Sequence, residues 1–271
     1  VLWLLWGLPR EQLFDIINCI GISNFLKCMA FKALRAPRVS IKLPDGQVAL
    51  MDVSQIPNVL LNIAHIYYYG DYELDPQFKP DRGWTVIDVG AYIGIYALRA
   101  SKLVGPQGLV IALEPHPINF NLLKLNIELN NAKNIVALPY ALMPMKCIKK
   151  LFSPKYRANA SMIRSYAELW SQEVSEVEVK CITLRDLIKA LKIDSIDLLK
   201  MDVEGLEKAI LTSSSDVLSY IKRLVVEVHL DACDVEEIEE ILRQHGYYVK
   251  TKIDALAPNQ AFITAVQRTI Q

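Results

Sequence analysis

The sequence has no excess charge of either sign and no paired cysteine motif. Thirty Lys and Arg residues balance thirty Asp and Glu residues, so the formal net charge is +0. This balance argues against the basic surface that nonspecific nucleic-acid binding requires. The five cysteines are scattered without a CxxC pair, and an odd number cannot all pair within one chain. We therefore predict no nucleic-acid partner and a reducing, cytoplasmic location.

The N-terminus lacks a hydrophobic run long enough to cross a membrane. The opening VLWLLWGLPR is apolar but only about half the length of a spanning helix, and no basic region precedes it. We therefore predict neither a transmembrane segment nor a signal peptide there. With Trp3 and Trp6, this segment could cover the sheet, join two copies in a homodimer or touch a membrane surface; packing is the most common role.

The composition is that of a globular protein with one large domain and a small accessory part. Of the 271 residues, 52% are hydrophobic and 22% are charged. A turn-rich stretch at residues 80–83 marks the predicted boundary. Residues 1–80 form an accessory region with helices over 11–34, broken at Gly21, and a hairpin over 39–52 that turns at Asp45-Gly46. Residues 81–271 form the main domain.

After this boundary, short apolar runs alternate with amphipathic stretches. Runs rich in Val, Ile and Leu are typical of strands buried on both faces. The predicted strands are 85–89, 109–113, 135–138, 196–201, 223–228, 246–249 and 261–266, the last two forming an antiparallel pair around a turn at Pro258-Asn259. Thr183 and Asp234 are predicted helix caps, and Gly246 a helix stop. This α/β series predicts a mostly parallel seven-stranded sheet with helices on both faces and ligands at the carboxyl ends of its strands.

Two neighbouring strand ends carry the pattern of a nucleotide-binding site. TVIDVGAYIG places Asp88, Gly90 and Gly94 where a strand turns tightly into a helix, and glycines there let backbone approach a ligand. LVIALEPHP then places Glu114 at the next strand tip, the usual position of an acid that binds ribose hydroxyls. The simpler alternative for the glycine turn is a loop that serves only packing. The simpler alternative for Glu114 is a solvated surface acid.

Two later strand ends carry acids and a histidine. IDLLKMDVEGLE delivers Asp202 and Glu204 to the ligand side of the sheet, where carboxylates can orient an amine, accept a proton or hold a metal. In LVVEVHL, Glu227 and His229 point the same way, so His229 is a candidate general base. The alternative for Asp202 and Glu204 is a helix cap or an ion pair. The alternative for His229 is a buried histidine with a purely structural role.

These motifs, in this order, resemble the FkbM-type family of S-adenosylmethionine-dependent methyltransferases in the Rossmann-like class I group. The resemblance begins at GDYEL (70–74) and continues through DVGAYIG, EPHPINFNLLKLNIELN, YALM, ITLRDL, IDLLKMDVEGLE and VEVHL. The DVEG element after the fourth strand distinguishes this family from other methyltransferases. The family has Asn where this chain has Tyr92, which puts the loop contact at that position in question.

The resemblance implies S-adenosylmethionine as the cofactor and a role for each matched position. The residues implied to bind it are Asp88, Gly90, Ala91, Tyr92, Gly94, Glu114, Ala141, Leu142 and Asp202. Glu114 would bind the ribose, Ala141-Leu142 would border the adenine, and Asp202 would lie near the methionine amine and the transferred methyl. The resemblance further implies O-methylation of a hydroxyl on a sugar or polyketide-like small molecule. We expect Asp202, Glu204 or His229 to take the hydroxyl proton.

Two other functions compete with this interpretation. A nicotinamide-dependent dehydrogenase would share the glycine loop and the strand-tip acid, but the GxGxxG fingerprint is missing. A catalytically silent protein could keep the pocket and act as a scaffold. Four residues could together suit a magnesium-like ion: Asp202, Glu204, Glu227 and His229. We nevertheless predict no metal ligand, because no ligand spacing such as HExxH occurs. The basic, aromatic segment 153–170 is predicted to form a lid.

Overall fold

The computed structural model describes residues 10–254, 257 and 259–270 of the chain. The helices are α1 (Arg10–Ile20), α2 (Ile22–Ala33), α3 (Ile56–Ala64), α4 (Ile95–Val104), α5 (Pro117–Leu129), α6 (Arg164–Glu168), α7 (Leu184–Leu191), α8 (Glu207–Ser213) and α9 (Val235–Gln244). The strands are β1 (Arg38–Lys42), β2 (Val48–Asp52), β3 (Thr85–Val89), β4 (Leu109–Leu113), β5 (Ile135–Leu138), β6 (Tyr140–Leu142), β7 (Ile148–Ser153), β8 (Ser175–Ile182), β9 (Leu198–Met201), β10 (Arg223–His229), β11 (Tyr247–Ile253) and β12 (Gln260–Gln267).

A seven-stranded sheet in the order β11-β12-β10-β9-β3-β4-β5 forms the centre of the molecule. The strands from β10 to β5 in that order pair in parallel, whereas β12 runs antiparallel to both β10 and β11. The predicted fold class and the C-terminal antiparallel pair are thus confirmed. The strand predicted over 196–201 begins only at Leu198, because Ile196 makes an isolated bridge to Ile221. Of the predicted turn at Pro258-Asn259, Pro258 lies outside the described residues.

Helices cover both faces of this sheet. Successive side chains of β3 therefore belong to different apolar clusters. Val86 belongs to one apolar cluster, together with Leu98 of α4. Ile87 belongs to another, together with Leu211 of α8 and Ile238 of α9. Because each face needs apolar side chains, most positions of a central strand are apolar, and this produces the nearly continuous runs seen in the sequence.

The predicted helix ends are also confirmed. Thr183 Oγ1 accepts a hydrogen bond from the Asp186 N–H at 3.0 Å before α7, and Asp234 Oδ1 accepts one from the Glu236 N–H at 2.8 Å before α9. Gly246 follows α9 with a φ of +85°, the left-handed conformation that ends many helices. Local capping chemistry therefore sets these boundaries.

The register of the central strands brings the candidate residues to one level. Val89 of β3 pairs with Met201 of β9, and Met201 in turn pairs with Val226 of β10. The residues that follow these three, 90, 202 and 227, therefore leave the sheet side by side at its carboxyl end. This is the end at which ligands bind in open α/β sheets.

The predicted N-terminal helices and hairpin are present, and they share an apolar core with the sheet. Ile16 of α1, Val39 of β1 and Leu60 of α3 are buried in the same cluster as Val86. A π-helical turn, His65–Tyr69, follows α3. Helices α1 and α2 bend apart at Gly21, as the sequence predicts.

In the described part of the chain, no single helix is long and apolar enough to cross a membrane. The segments Gln12–Ile20 and Ile22–Ala33 meet that test only when taken together, and they are bent by 108°. The apolar opening with Trp3 and Trp6, and with it the predicted homodimer contact, falls on residues 1–9, which lie outside the described residues.

Asn126 of α5 and Asn130, which caps the C-terminus of that helix, attach the N-terminal hairpin to the main sheet. The side chain of Asn126 accepts from the Leu50 N–H at 2.7 Å and donates to the Leu50 carbonyl at 3.1 Å. Asn130 does the same at Val48, at 2.7 Å in both directions. Asn126 also donates to the Ile93 carbonyl at 2.8 Å, so the hairpin is connected to the loop that follows β3.

A second sheet of three strands, in the order β6-β8-β7, lies beside the first. Strand β6 pairs in parallel with β8, and β7 pairs antiparallel with it. Its first strand, β6, follows closely after β5 and carries Ala141 and Leu142. This sheet supports the predicted lid segment, because an isolated bridge joins Phe152 at the end of β7 to Ser161.

Candidate active site

A cavity of about 510 Å³ lies at the carboxyl end of the central sheet. Its volume is in the range typical of sites for small molecules and cofactors. One wall comes from the strand ends, including Gly90, Glu114 and Asp202, and the opposite wall comes from α3 and from the segment around Arg157. The cavity lies where the sheet topology predicts a ligand.

The loop after β3 approaches the end of β9 so closely that only glycine fits. Gly90 has a φ of +75°, and a Cβ placed on it would lie 1.9 Å from the carbonyl oxygen of Asp202. The N–H groups of Gly90 and Ala91 both donate to the Leu113 carbonyl, at 3.1 and 2.9 Å. The backbone of Tyr92 is left-handed as well, with a φ of 52°. Asn adopts this conformation more readily than Tyr. Backbone therefore forms this part of the cavity wall.

Glu114 at the tip of β4 is held by backbone donors. Its carboxylate accepts from the N–H groups of Tyr92 and His116, both at 2.9 Å, and lies 3.4 Å from Asn119 Nδ2. Burial raises the pKa of Glu114 to about 8, although these donors act in the opposite direction. The carboxylate lines the cavity, and its remaining acceptor positions suit a diol.

Most of the residues predicted to bind a cofactor line this cavity. Those that do are Gly90, Ala91, Tyr92, Glu114, Ala141, Leu142 and Asp202. Asp88 and Gly94 do not line it. Asp88 is fully buried beneath the loop, and Gly94 packs toward α5, where an added Cβ would lie 2.5 Å from Leu123 Cδ1.

Lys200 connects Asp88 to the cavity. Its Nζ lies 3.2 Å from Asp88 Oδ1 and 3.7 Å from Asp202 Oδ2, and it donates to the Gly90 carbonyl at 3.1 Å. Burial alone would lower the pKa of Lys200, but Asp88, Asp202 and Glu227 outweigh burial and raise it. Lys200 is a site residue that was not predicted from the sequence. A lysine inside the buried strand LLKM is itself an informative signal, because buried lysines need partners.

Three carboxylates line the far end of the cavity: Asp202 and Glu204 after β9, and Glu227 on β10. Tyr72 donates its hydroxyl to Glu227 Oε2 at 2.5 Å. Burial, and then the nearby Asp202, raise the pKa of Glu227 to about 7. Burial likewise raises the pKa of Glu204 well above its usual range. Glu227 can therefore exchange a proton near neutral pH.

His229 lies behind these carboxylates and not in the cavity wall. It is fully buried, its Nδ1 lies 2.8 Å from Glu207 Oε1, and its Nε2 lies 3.5 Å from Glu204 Oε2 and 3.9 Å from Asp202 Oδ1. Burial opposes a charge on the imidazole, but Glu204, Glu207 and Asp202 raise the pKa of His229 well above its ordinary value. The structure thus brings the three predicted catalytic side chains together.

Glu207 is a second residue that our sequence analysis did not single out. It is the first residue of α8, is fully buried, and accepts from the Gly205 N–H at 3.1 Å and from Cys233 Sγ at 3.2 Å. Glu207 lies within the quoted motif IDLLKMDVEGLE, but the motif alone does not indicate its partner. The pairing with His229 depends on how α8 packs against β10.

A third missed group comes from the N-terminal region. His65, at the start of the π-helical turn, lines the cavity, and its Nδ1 lies 2.5 Å from Asp71 Oδ2. Burial lowers the pKa of His65, yet Asp71 and then Glu227 raise it above the usual value. Asp71 belongs to GDYEL, the only N-terminal motif in the resemblance, which is the signal that points to this pair.

Several residues of the predicted lid segment line the cavity, and the segment is attached on two sides. Arg157 Nη2 pairs with Asp52 of β2, and Arg157 Nε donates to Asn119 Oδ1 of α5 at 3.1 Å. The Arg157 N–H donates to Gln55 Oε1 at 3.0 Å. Tyr156 and Met162 line the cavity on either side of these contacts.

Comparisons with known proteins agree with this geometry. The family described as the Methyltransferase FkbM domain matches residues 88–249. Methyltransferase sdnD of Sordaria araneosa is 26% identical, covering 79% of this chain and 98% of that protein. The 31-O-demethyl-FK506 methyltransferase FkbM of Streptomyces tacrolimicus is 28% identical, covering 69% and 82%. The METTL16 MTase domain superposes with a TM-score of 0.53 at 14% identity over 90% of this chain and 91% of that one, which shows a shared fold.

Proposed function

The chain belongs to the FkbM family of S-adenosylmethionine-dependent methyltransferases, and from this premise we propose that it methylates a hydroxyl oxygen of a sugar or other small natural product. When bound, S-adenosylmethionine supplies a methyl carbon on a sulfonium, which an oxygen can attack in line while the carbon–sulfur bond electrons pass to sulfur. One observation carries the proposal: the same cavity has two chemically different ends. The nucleotide-type end is formed by Gly90, Glu114, Ala141 and Leu142, and the acidic end by Asp202, Glu204 and Glu227.

The nucleotide-type end suits the cofactor. Glu114 presents a carboxylate for two ribose hydroxyls, and Ala141 with Leu142 offers an apolar surface for the adenine. Gly90 keeps side-chain atoms away from the loop, so the methionine part can lie against backbone. Asp202, whose Oδ2 lies 3.7 Å from Lys200 Nζ, would receive the methionine amine.

The acidic end suits removal of a proton from a neutral acceptor. An alcohol must lose its proton as its oxygen bonds to the methyl carbon, and a buried carboxylate with a raised pKa is a suitable acceptor of that proton. Asp202 and Glu204 face the cavity, and His229 supports them from behind. The proton therefore moves from the hydroxyl to this group of three side chains.

The acceptor class is supported by chemistry and by one relative. The name of the S. tacrolimicus protein describes methylation at an oxygen of a natural product. The acceptor side of our cavity combines polar groups, among them Asn58 and His65, with apolar ones such as Leu61. This mixture suits a hydroxylated small molecule. The family assignment gives no support to the dehydrogenase alternative.

The test has two arms. In the first, calorimetric titration should show binding of S-adenosylmethionine and S-adenosylhomocysteine but not NAD, and Glu114→Ala should lose that binding. In the second, incubation with hydroxylated sugars and polyketide alcohols should yield products heavier by one labelled methyl group and stable to mild base, as an ether is. Binding of NAD alone, or methylation only at nitrogen or carbon, would contradict the proposal. Cofactor binding without transfer to any acceptor would favour the scaffold alternative.

A further inference from the structure

Three buried side-chain atoms lie close together at the acidic end of the cavity. Asp202 Oδ1, Glu204 Oε2 and His229 Nε2 have no hydrogen-bond partner within the described residues. His229 Nε2 lies 3.5 Å from Glu204 Oε2 and 3.9 Å from Asp202 Oδ1, too far for hydrogen bonds. Buried polar atoms normally have partners, so three unpartnered atoms this close together point to a shared ligand.

The imidazole is already oriented to donate a lone pair to such a ligand. His229 Nδ1 lies 2.8 Å from Glu207 Oε1, so the Nδ1–H donates to the carboxylate, and a cation that displaced the Nε2 proton would meet a ring already held in place. Glu207 is itself held by the Gly205 N–H and by Cys233 Sγ. A carboxylate that fixes the far nitrogen of a histidine is the usual support of a metal-binding imidazole.

We propose that Asp202, Glu227 and His229 bind one divalent cation of the manganese or magnesium class, although the sequence predicts no metal ligand. One ligand atom from each of these residues lies within 4.8 Å of the others, so a small movement of the side chains would bring all three to one octahedral ion. Glu204 Oε2 lies beside them as a fourth donor. Two or three carboxylates with one imidazole suit Mn²⁺ or Mg²⁺ better than softer metals.

The neighbouring groups leave room for this assignment. Lys200 Nζ lies near Asp202 Oδ2, so Asp202 Oδ1 stays available. The Tyr72 hydroxyl occupies Glu227 Oε2 and leaves the other oxygen for the ion. Because the ligands come from β9 and from β10, their spacing in the sequence shows no metal motif. For this reason the sequence brings these residues together as possible ligands but does not predict a metal site.

Asp202 and Glu227 line the cavity, so open coordination positions would face the acceptor. An acceptor hydroxyl bound there would lose its proton more easily, as metal-bound water does, and the proton would pass to the oxygen of Glu204 that does not face the ion. This last role rests on the proposed methyl transfer, whereas the cation site rests on the geometry alone.

The test is titration of the full chain with Mn²⁺, followed by electron paramagnetic resonance without cofactor or acceptor. We expect one saturable Mn²⁺ per chain, with electron spin-echo modulation from the nitrogen of one imidazole. Asp202→Asn and His229→Gln should abolish this binding, and Glu207→Gln should weaken it about 10- to 100-fold. The variants Asp194→Asn and His245→Gln are matched controls, because both residues are exposed. Each should bind Mn²⁺ as the native chain does.

The outcomes separate the cation site from the proposed function. If the native chain binds no Mn²⁺ saturably, or binds it without nitrogen coupling, the site is wrong, and this result needs no variant to fold. Binding retained in His229→Gln would also overturn it. S-adenosylhomocysteine titrated in parallel reports on the methyltransferase site, so failure of one proposal is distinguishable from failure of the other.

Discussion

At the scale of single residues, an added carbon at Gly90 would collide with the carbonyl oxygen of Asp202. We expect Gly90→Ala to lower the free energy of unfolding by more than the ~1–2 kcal/mol that left-handed backbone alone costs a side chain. It should also abolish binding of S-adenosylhomocysteine, because the end of β9 must move. Thermal unfolding and calorimetry measure the two effects.

Gly83 provides the matched control. Its φ of +78° is close to that of Gly90, but nothing lies within 4 Å of a Cβ added there. Gly83→Ala should therefore show only the conformational cost and keep full cofactor affinity. Equal effects of the two substitutions would mean that the close approach to Asp202 does not matter.

The protonation of Glu114 predicts a pH dependence of cofactor binding. With a pKa of about 8 the carboxyl is protonated in the free chain at neutral pH, and a ribose diol binds better to the ionised form. Binding must then release a proton, so affinity for S-adenosylhomocysteine should rise with pH, by about tenfold per unit at most, and level off above pH 8.

Calorimetry between pH 6 and pH 9 measures this rise. Glu114→Gln should bind more weakly and with little dependence on pH, whereas Glu128→Gln, on the outer part of α5, should keep the native profile. An affinity that falls as the pH rises would contradict the assigned protonation.

At the scale of elements, the lid is attached through Arg157, which bridges β2 and α5. Arg157→Ala removes both contacts, and we expect faster cleavage of residues 154–163 in limited proteolysis. Methyl transfer should fall because the acceptor is less well enclosed. Arg164→Ala is the control: Arg164 lies in the same segment, but its ion pairs with Glu168 and Glu176 are exposed. Equal cleavage of the two variants would show that the Arg157 contacts do not hold the lid.

Asn126 links three elements, since its side chain bonds to both backbone groups of Leu50 and to the Ile93 carbonyl. Asn126→Ala would leave these buried groups unpaired, and we expect a loss of about 2–4 kcal/mol in the free energy of unfolding. Chemical denaturation measures it. Asn121→Ala, at an exposed position of the same helix, should change stability by less than about 0.5 kcal/mol. A small effect at both positions would mean that water replaces the lost bonds.

The elements also show what sequence reasoning can and cannot reach. The strands β3, β4 and β5 agree with the prediction residue for residue, because each is a short run rich in Val, Ile and Leu. The sheet of β6, β7 and β8 escaped prediction as a unit, since β7 begins with exposed charged residues such as Lys149 and has no clear alternation. The residues predicted from strand ends meet in one cavity. Glu207 and His65 were not predicted as site residues, because their roles depend on partners that only tertiary packing brings close.

At the scale of the whole molecule, the accessory region and the sheet share one buried core. Val39 and Leu60 pack in the same cluster as Val86 and Leu98. We therefore expect a single cooperative unfolding transition, with coincident curves from far-ultraviolet circular dichroism and from tyrosine and tryptophan signals. Two separated transitions would instead show that residues 1–80 and 81–271 fold as independent units.

The asparagine contacts of α5 have a further consequence for how copies of the chain meet in solution. An unpaired strand margin is a template on which another molecule can add a strand, and this is a common start of aggregation. In β2, the outward N–H and carbonyl groups of Val48 and Leu50 are already bonded to Asn130 and Asn126. Two side chains thus take the place of a neighbouring strand, and the hairpin offers no backbone there for intermolecular β-pairing.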